Sequence, residues 1–275
     1  MNELENLKQS ILREYPRLSA DDHISFRCGA DLACFNHCCA DVNIFLTPYD
    51  VLRLRRAQGL GSASFLSRHT LIPFDKNQNL PLPLLKMNDS PTKECPFVDS
   101  ERGCIVYADR PWPCRMYPMG VASPNEKIEA GQKFYFLMKE DFCLGLQEKR
   151  DLSVTEWVND QGVLPYEEFG ELFKQVTLNE AFAQGLKQSP QQVDMYWSAL
   201  YDLDKFRKFI FNTSFVDRFE LDAVEMDTLR DDDEALLRFG FRWLDMALFK
   251  KLSLKVKTEV LNRLSAKSTS TAANA

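Results

Sequence analysis

Long apolar runs, an excess of basic residues and glycine-rich phosphate loops are all missing from this chain of 275 residues. No uninterrupted apolar stretch approaches the roughly 18 residues that span a bilayer. Even the stretch from Phe209 to Phe219 carries Asn212, Asp217 and Arg218. The formal charge is -6 and the isoelectric point about 5.3, with Lys and Arg dispersed, so the electrostatic footprint of a nucleic-acid binder is missing as well. The N-terminal MNELENLKQS places Glu3, Glu5 and Lys8 where a secretory leader has its apolar centre. The expectation is a cytoplasmic protein with no membrane and no nucleic acid among its partners. No Ser-His-Asp order and no dinucleotide fingerprint occurs, since Gly59-x-Gly61 stands alone. Internal repeats are absent too.

What the chain does have is eight cysteines alongside 45% hydrophobic residues. A chain of this length and composition can bury a core without covalent staples. Clustered thiols in a cytoplasmic protein hold metal or do redox work more often than they form disulfides. Their distribution divides the chain, because seven lie between Cys28 and Cys114, one is Cys143, and none follows. Residues 1–150 read as a cysteine-cluster metal-binding domain, 151–265 as a helical C-terminal region, and 266–275 (AKSTSTAANA) as a disordered tail without large apolar side chains. The fold class expected is mainly α, with an irregular, loop-rich cysteine region and few short strands.

Thr47–Gln58 (TPYDVLRLRRAQ) reads as a capped helix, with Thr47 at the N-cap, Pro48 first, Asp50 completing a capping box, and Val51, Leu52 and Leu54 on the buried side. Gly59 and Gly61 should stop it. Phe134–Met138 (FYFLM) reads as a buried strand. Further on, Leu164, Phe169, Leu172, Phe173 and Val176 recur at helical spacing, as do Met195, Tyr196, Leu200, Leu203 and Phe206. Pro165 and Pro190 sit at helix starts. A long helix from about Asp232 to Lys251 opens on acids and closes on Lys250 and Lys251, matching its dipole.

The first thiol group is Cys28-x5-Cys34-x3-Cys38-Cys39, and the second is Cys95-x8-Cys104-x9-Cys114 followed by Cys143. Thiolates select zinc, copper(I) and iron-sulfur clusters over hard cations. One zinc would use only half of the eight. The loose intervals lack paired Cys-x2-Cys knuckles, and Cys95-Pro96 ends as a bacterial ferredoxin run does, which points to an iron-sulfur cluster ahead of zinc or iron ions. On an extended backbone Cys38 and Cys39 point opposite ways, so both reach one metal only if the chain turns there. Ligation that interleaves the two groups is expected. His37, inside the first group, is a further candidate donor.

Three segments taken together, FNHCCADVNIFLTPYDVLRL (Phe35–Leu54), ECPF (Glu94–Phe97) and GCIVYADRPWPCRMYP (Gly103–Pro118), resemble the CxxCxxCC family of YkgJ-like zinc- or iron-chelating cysteine-cluster proteins. The resemblance covers about residues 26–145. It implies a cysteine-held iron or zinc centre, with Cys34, Cys38, Cys39, Cys95, Cys104 and Cys114 as motif ligands and Cys28 and Cys143 as additions. The first interval is wider than the family name states, which puts the role of the first cysteine in question. The family also contains flagellin lysine N-methylases, so one alternative is a protein-modifying enzyme using S-adenosylmethionine. Another is a structural zinc protein acting as an interaction module. Tyr201–Phe215 (YDLDKFRKFIFNTSF) is similar to extensions in longer bacterial members.

Tyr107, Arg110 and Arg115 flank candidate ligands. They either bind a cofactor or anionic substrate, or donate hydrogen bonds that hold loops and tune the centre, and the second role is the commoner one at metal sites. Asp202, Asp204, Lys205 and Arg207 read as an ion-paired helix face and not as acid-base machinery. The helical C-terminal region is the expected place for a protein partner.

Overall fold

A computed structural model describes residue 15 and residues 17–73, 80–122 and 134–263. The tail expected at residues 266–275 and the N-terminal segment at residues 1–10 lie outside the described residues. The fold is mainly α. Its strands are short and pair into four two-stranded antiparallel sheets among the described residues. No described helix is long and apolar enough to cross a membrane. The chain divides into two compact units, one drawn from Met1–Ile44 and Lys86–Glu168, the other from Phe45–Leu85 and Phe169–Ala275.

The first unit holds every cysteine. Its sheets pair His23–Ser25 with Asp151–Ser153, Val98–Asp99 with Gly103–Cys104, and Met119–Ala122 with Phe134–Leu137. The FYFL segment is thus a strand as its composition suggests, but all four of its residues are only partly buried. The apolar core is small: Ile24, Phe26, Met116, Met119, Val154, Trp157, Val158 and Val163 pack together, and Cys143 is one of them. Phe26 meets the Trp157 ring edge-on at 5.3 Å, and Trp157 Nε1 donates to the Met116 carbonyl at 3.3 Å.

The second unit begins with the capped helix Pro48–Ala57, where the Thr47 hydroxyl accepts from the Asp50 amide and the Asp50 carboxylate accepts from the Thr47 amide. Val51, Leu52 and Leu54 are buried as their spacing requires, and Gly59, at φ 61°, ends the helix. The stripe on Leu164–Thr177 starts one turn position later than its periodicity suggests. Tyr166 and Phe169 are buried, whereas Leu164 occupies the first helical position and is 59% exposed. The repeat from Met195 to Phe206 belongs to two helices, Pro190–Leu200 and Leu203–Asn212, because Asp202 turns its carboxylate back to cap the second. The long helix runs Asp233–Phe249 with Asp232 at its N-cap.

Charged groups hold these helices in register. Asp204 accepts from the Ser62 amide at 2.7 Å, and Asp233 pairs with both Arg55 and Arg207 at 2.5 Å. Lys205 pairs with Asp194 at 2.6 Å, so the Asp202–Arg207 charges cap and brace the helices. Gly240 lets the Asp233–Phe249 helix cross close to Pro190–Leu200, since a methyl group there would strike the Ala199 carbonyl oxygen. Gly240→Ala should therefore cost about 1–3 kcal/mol through overpacking. Urea unfolding followed by circular dichroism measures it, and a stability equal to the parent would show that the crossing tolerates the methyl.

Candidate metal centre

A run of tight turns gathers the first four thiols. Amides donate from Leu32 to the Gly29 carbonyl (3.1 Å), from Phe35 to Leu32 (2.9 Å), from His37 to Cys34 (3.0 Å) and from Cys39 to Asn36 (2.9 Å). The last of these closes a single 3-10 turn, His37–Cys39, entered through Asn36 at φ 67°. Asparagine visits that left-handed region more readily than most side chains do. Its amide nitrogen donates to the Asp99 carbonyl at 3.2 Å, docking the turn onto the second cysteine segment. The backbone is therefore not extended at Cys38–Cys39. The turn brings the pair together, and the Cys38 thiol hydrogen-bonds with Cys39.

The two flanks of this turn pair with different parts of the chain. On one side the Arg27 amide donates to the Gly145 carbonyl at 3.1 Å and Phe26 to Arg150 at 2.9 Å, laying Cys28 alongside Cys143. The Leu144 amide donates to the Cys34 sulfur at 3.3 Å. Cys28 lies within electrostatic reach of Cys38, Cys34 and Cys143. Glycine is required at 145, because a Cβ there would stand 2.5 Å from the Arg27 carbonyl oxygen.

On the other side Ala40 bridges antiparallel to Glu94, which sets Cys39 opposite Cys95, and the Cys95 amide donates to the Cys39 carbonyl at 2.7 Å. Residues facing each other across an antiparallel pair have Cβ atoms about 4.5–5.5 Å apart. The hairpin that pairs Val98 with Cys104 returns Cys104 to the neighbourhood of Cys95. Cys104, and Cys114 on the short helix Trp112–Met116, both lie within reach of the Arg110 charge. Cys28, Cys34, Cys38 and Cys143 thus lie near one another, Cys39 faces Cys95 with Cys104 nearby, and Cys114 shares the neighbourhood of Arg110 with Cys104.

Cys143 is buried, Cys28 exposed and the other six partly covered. Burial pushes the Cys95 and Cys104 thiols above their ordinary value. Cys38 is raised first by its hydrogen bond with Cys39 and then by burial. The Tyr117 hydroxyl is buried beside Cys143. The exposed His37 ring stacks on Phe142 at 4.8 Å, next to Cys143.

Arg110 and Arg115 are both buried, and neither has a carboxylate partner among the described residues. Arg115 donates to the Arg110 carbonyl (3.0 Å), the Gln161 carbonyl (2.7 Å), the Tyr166 hydroxyl (3.0 Å) and the Ala108 carbonyl. Arg110 donates to the Tyr107 carbonyl and to Gln161 Oε1, and its guanidinium stacks 3.7 Å over the exposed Tyr107 ring. Loop-holding therefore occupies these donors. Nothing in the local sequence singles out Asn36, Gln161 or Tyr166, whose long-range partners lie 46 to 63 residues away. The one local cue is Gly162 after the helix Val154–Asp160, a common helix ending, which places Gln161 at a C-cap.

Among the described residues, no three Cys, His, Asp or Glu side chains stand ready to hold a metal ion as they are placed. The donors fit in kind, since thiols suit zinc or iron, and closing on a metal requires loss of thiol protons and rotation of side chains. Thiols arranged this way define a class of protein, one whose irregular chain is organised around soft-metal donors. Residues 27–144 match the family model CxxCxxCC, described as a "putative zinc- or iron-chelating domain". No curated protein and no solved structure matches the chain.

Removing the Arg115 side chain leaves the buried Arg110 and Gln161 carbonyls and the part-buried Ala108 carbonyl short of a donor. Arg115→Ala is expected to destabilise the metal-free protein by about 3 kcal/mol, and Arg115→Lys to recover little, because one ammonium cannot reproduce the planar fork. Urea unfolding followed by tryptophan fluorescence is the measurement. A loss under about 1 kcal/mol would refute the loop-holding role.

Proposed function

We propose that the protein is a metal carrier or redox centre holding two four-thiolate sites, one built from Cys28, Cys34, Cys38 and Cys143, the other from Cys39, Cys95, Cys104 and Cys114. The observation that carries this reading is the split pairing around the 3-10 turn, with Cys28 laid beside Cys143 and Cys39 set opposite Cys95. The buried Arg110 and Arg115 support the second site, because a centre held by four thiolates carries surplus negative charge that guanidiniums offset. Iron-sulfur is the chemistry we assign, on the loose cysteine intervals and the Cys95-Pro96 step. A bound cluster would supply one-electron transfer, and this chain's own residues would supply its thiolates and amide donors such as Leu144.

Anaerobic purification followed by metal and sulfide analysis tests the assignment. A brown protein containing iron and acid-labile sulfide is expected, whereas a colourless one with stoichiometric zinc would replace iron-sulfur by zinc in the same thiols. Cys38→Ser and Cys39→Ser should each remove about half of the metal, and the double variant nearly all of it. Full retention in both single variants would sink the two-site reading.

The raised thiols fix the sign of the pH dependence. Below their folded values Cys95 and Cys104 are protonated, and a metal must displace those protons, so apparent metal affinity should fall as the pH falls. The metal-free protein should behave in the opposite sense. Its folded state holds these protons more tightly than the unfolded chain does, so that stability is fully present below the ordinary thiol value and is lost as the pH rises through the folded values. Titration calorimetry in two buffers of different ionisation enthalpy reads the proton release, and zero release would contradict the account.

A further inference from the structure

Cys38 and Cys39 are held together by contacts on both sides. Before them, the Cys39 amide donates to the Asn36 carbonyl at 2.9 Å, and the Asn36 side chain is itself docked on the Asp99 carbonyl. After them, the Cys39 carbonyl accepts from the Cys95 amide at 2.7 Å, and the Asp41 amide donates to the Lys93 carbonyl at 3.0 Å. An extended chain would send the two side chains to opposite faces, whereas this 3-10 turn brings their sulfurs within hydrogen-bonding reach. None of the three turn residues is buried, so a small reagent can reach the pair.

The facing thiol is placed less well for bonding. Cys95 stands opposite Cys39 along the backbone, yet the thiol within its electrostatic reach is Cys104. Facing residues of an antiparallel pair have Cβ atoms about 4.5–5.5 Å apart, wider than the ~3.8 Å typical of a disulfide.

We infer that in the metal-free chain Cys38 and Cys39 form a reversible redox site, which a small-molecule disulfide closes to a disulfide between the two neighbours. One sulfur of the pair, as its thiolate, attacks the S–S bond of the reagent; that bond breaks, a small thiolate leaves and a mixed disulfide forms. The other sulfur attacks the protein-bound sulfur of the mixed disulfide, and the second small thiolate leaves. The two protons lost by the pair end on the two small thiols, and the two electrons it loses reduce the reagent. Neighbouring Cα atoms lie about 3.8 Å apart, short of the roughly 4.4–6.8 Å usual across a disulfide, so the closed bond is strained and readily reduced. Closure takes both thiols out of the donor set. Under the two-site reading it removes one ligand from each site at once, though the disulfide itself does not depend on that reading.

The full chain, stripped of metal by a chelator under reductant and freed of both, is incubated anaerobically with glutathione disulfide. It is then alkylated and mapped by proteolysis and mass spectrometry. Two thiols should be lost, no glutathione retained, and the peptide carrying Cys38 and Cys39 should be lighter by two hydrogens. Excess reduced glutathione should restore both thiols. Cys38→Ser and Cys39→Ser, which cannot close, should each hold one glutathione on the remaining sulfur, and Cys95→Ser should close as the parent does. A bond from Cys39 to Cys95, a stable glutathione adduct on the parent, eight unreacted thiols, or a closed bond that reduced glutathione leaves intact overturns the inference. Zinc uptake by the closed chain is read separately. Near-complete loss of uptake agrees with the two-site reading, and full uptake overturns that reading while the disulfide stands.

Discussion

Burying two guanidinium groups beside one another without a carboxylate is the constraint on which the cysteine unit turns. The carbonyls of Ala108, Arg110 and Gln161 satisfy the N–H donors of Arg115, and hydrogen bonds of this kind orient the group without neutralising it. The groups near Arg110 able to carry compensating charge are Tyr107, Cys104 and Cys114. Burial holds Cys104 in its neutral form, so it supplies that charge only when a cation takes the place of its proton. The same arginines that fasten the loop around Tyr107–Asp109 also set the charge that the adjacent thiols can bear.

The helical unit shows how the same chain treats arginine where no metal is involved. Arg55 and Arg207 share the Asp233 carboxylate, and Arg56 pairs with Glu234 at 3.2 Å. These pairs brace helices that already have apolar faces, and Phe206, Phe239 and Leu237 are buried without help from charge. By contrast the cysteine unit has a short core in which one of the buried members, Cys143, is itself a candidate ligand. A unit whose core shares a residue with its metal site couples stability to metal loading, as small metal-organised domains do.

Local features were legible from the sequence because their partners are local. Thr47 and Asp50 cap the helix three residues apart, Pro48 and Pro190 open helices, and Asp232 caps the long helix, all from short-range patterns. The cysteine groups and their soft-metal character were equally readable, since donor type needs no fold. The backbone at Cys38–Cys39 was not, because nothing in the pair itself shows whether it lies in a strand or a turn, and Asn36 decides it by adopting φ 67° and docking on Asp99. The roles of Arg110 and Arg115 were readable only as alternatives, because Gln161 and Tyr166 lie on elements brought up by tertiary packing. Leu164 shows the limit of periodicity: it fits the stripe, yet its place at the helix start leaves it in solvent.

The wide first interval, Cys28-x5-Cys34-x3-Cys38, departs from the spacing in the family's name, and the fold explains why the departure is tolerated. Successive three-residue closures at Gly29–Leu32, Leu32–Phe35 and Cys34–His37 coil the additional residues, so distance along the chain does not become distance in space. Cys28 is then placed by a different contact, the pairing of Arg27 with Gly145, which also fixes Cys143. The two outlying cysteines thus depend on each other, because the contact that brings one in brings in both. The matched segment, residues 27–144, encloses this pair by a single residue at either end. Its limits fall beside the Arg27–Gly145 pairing.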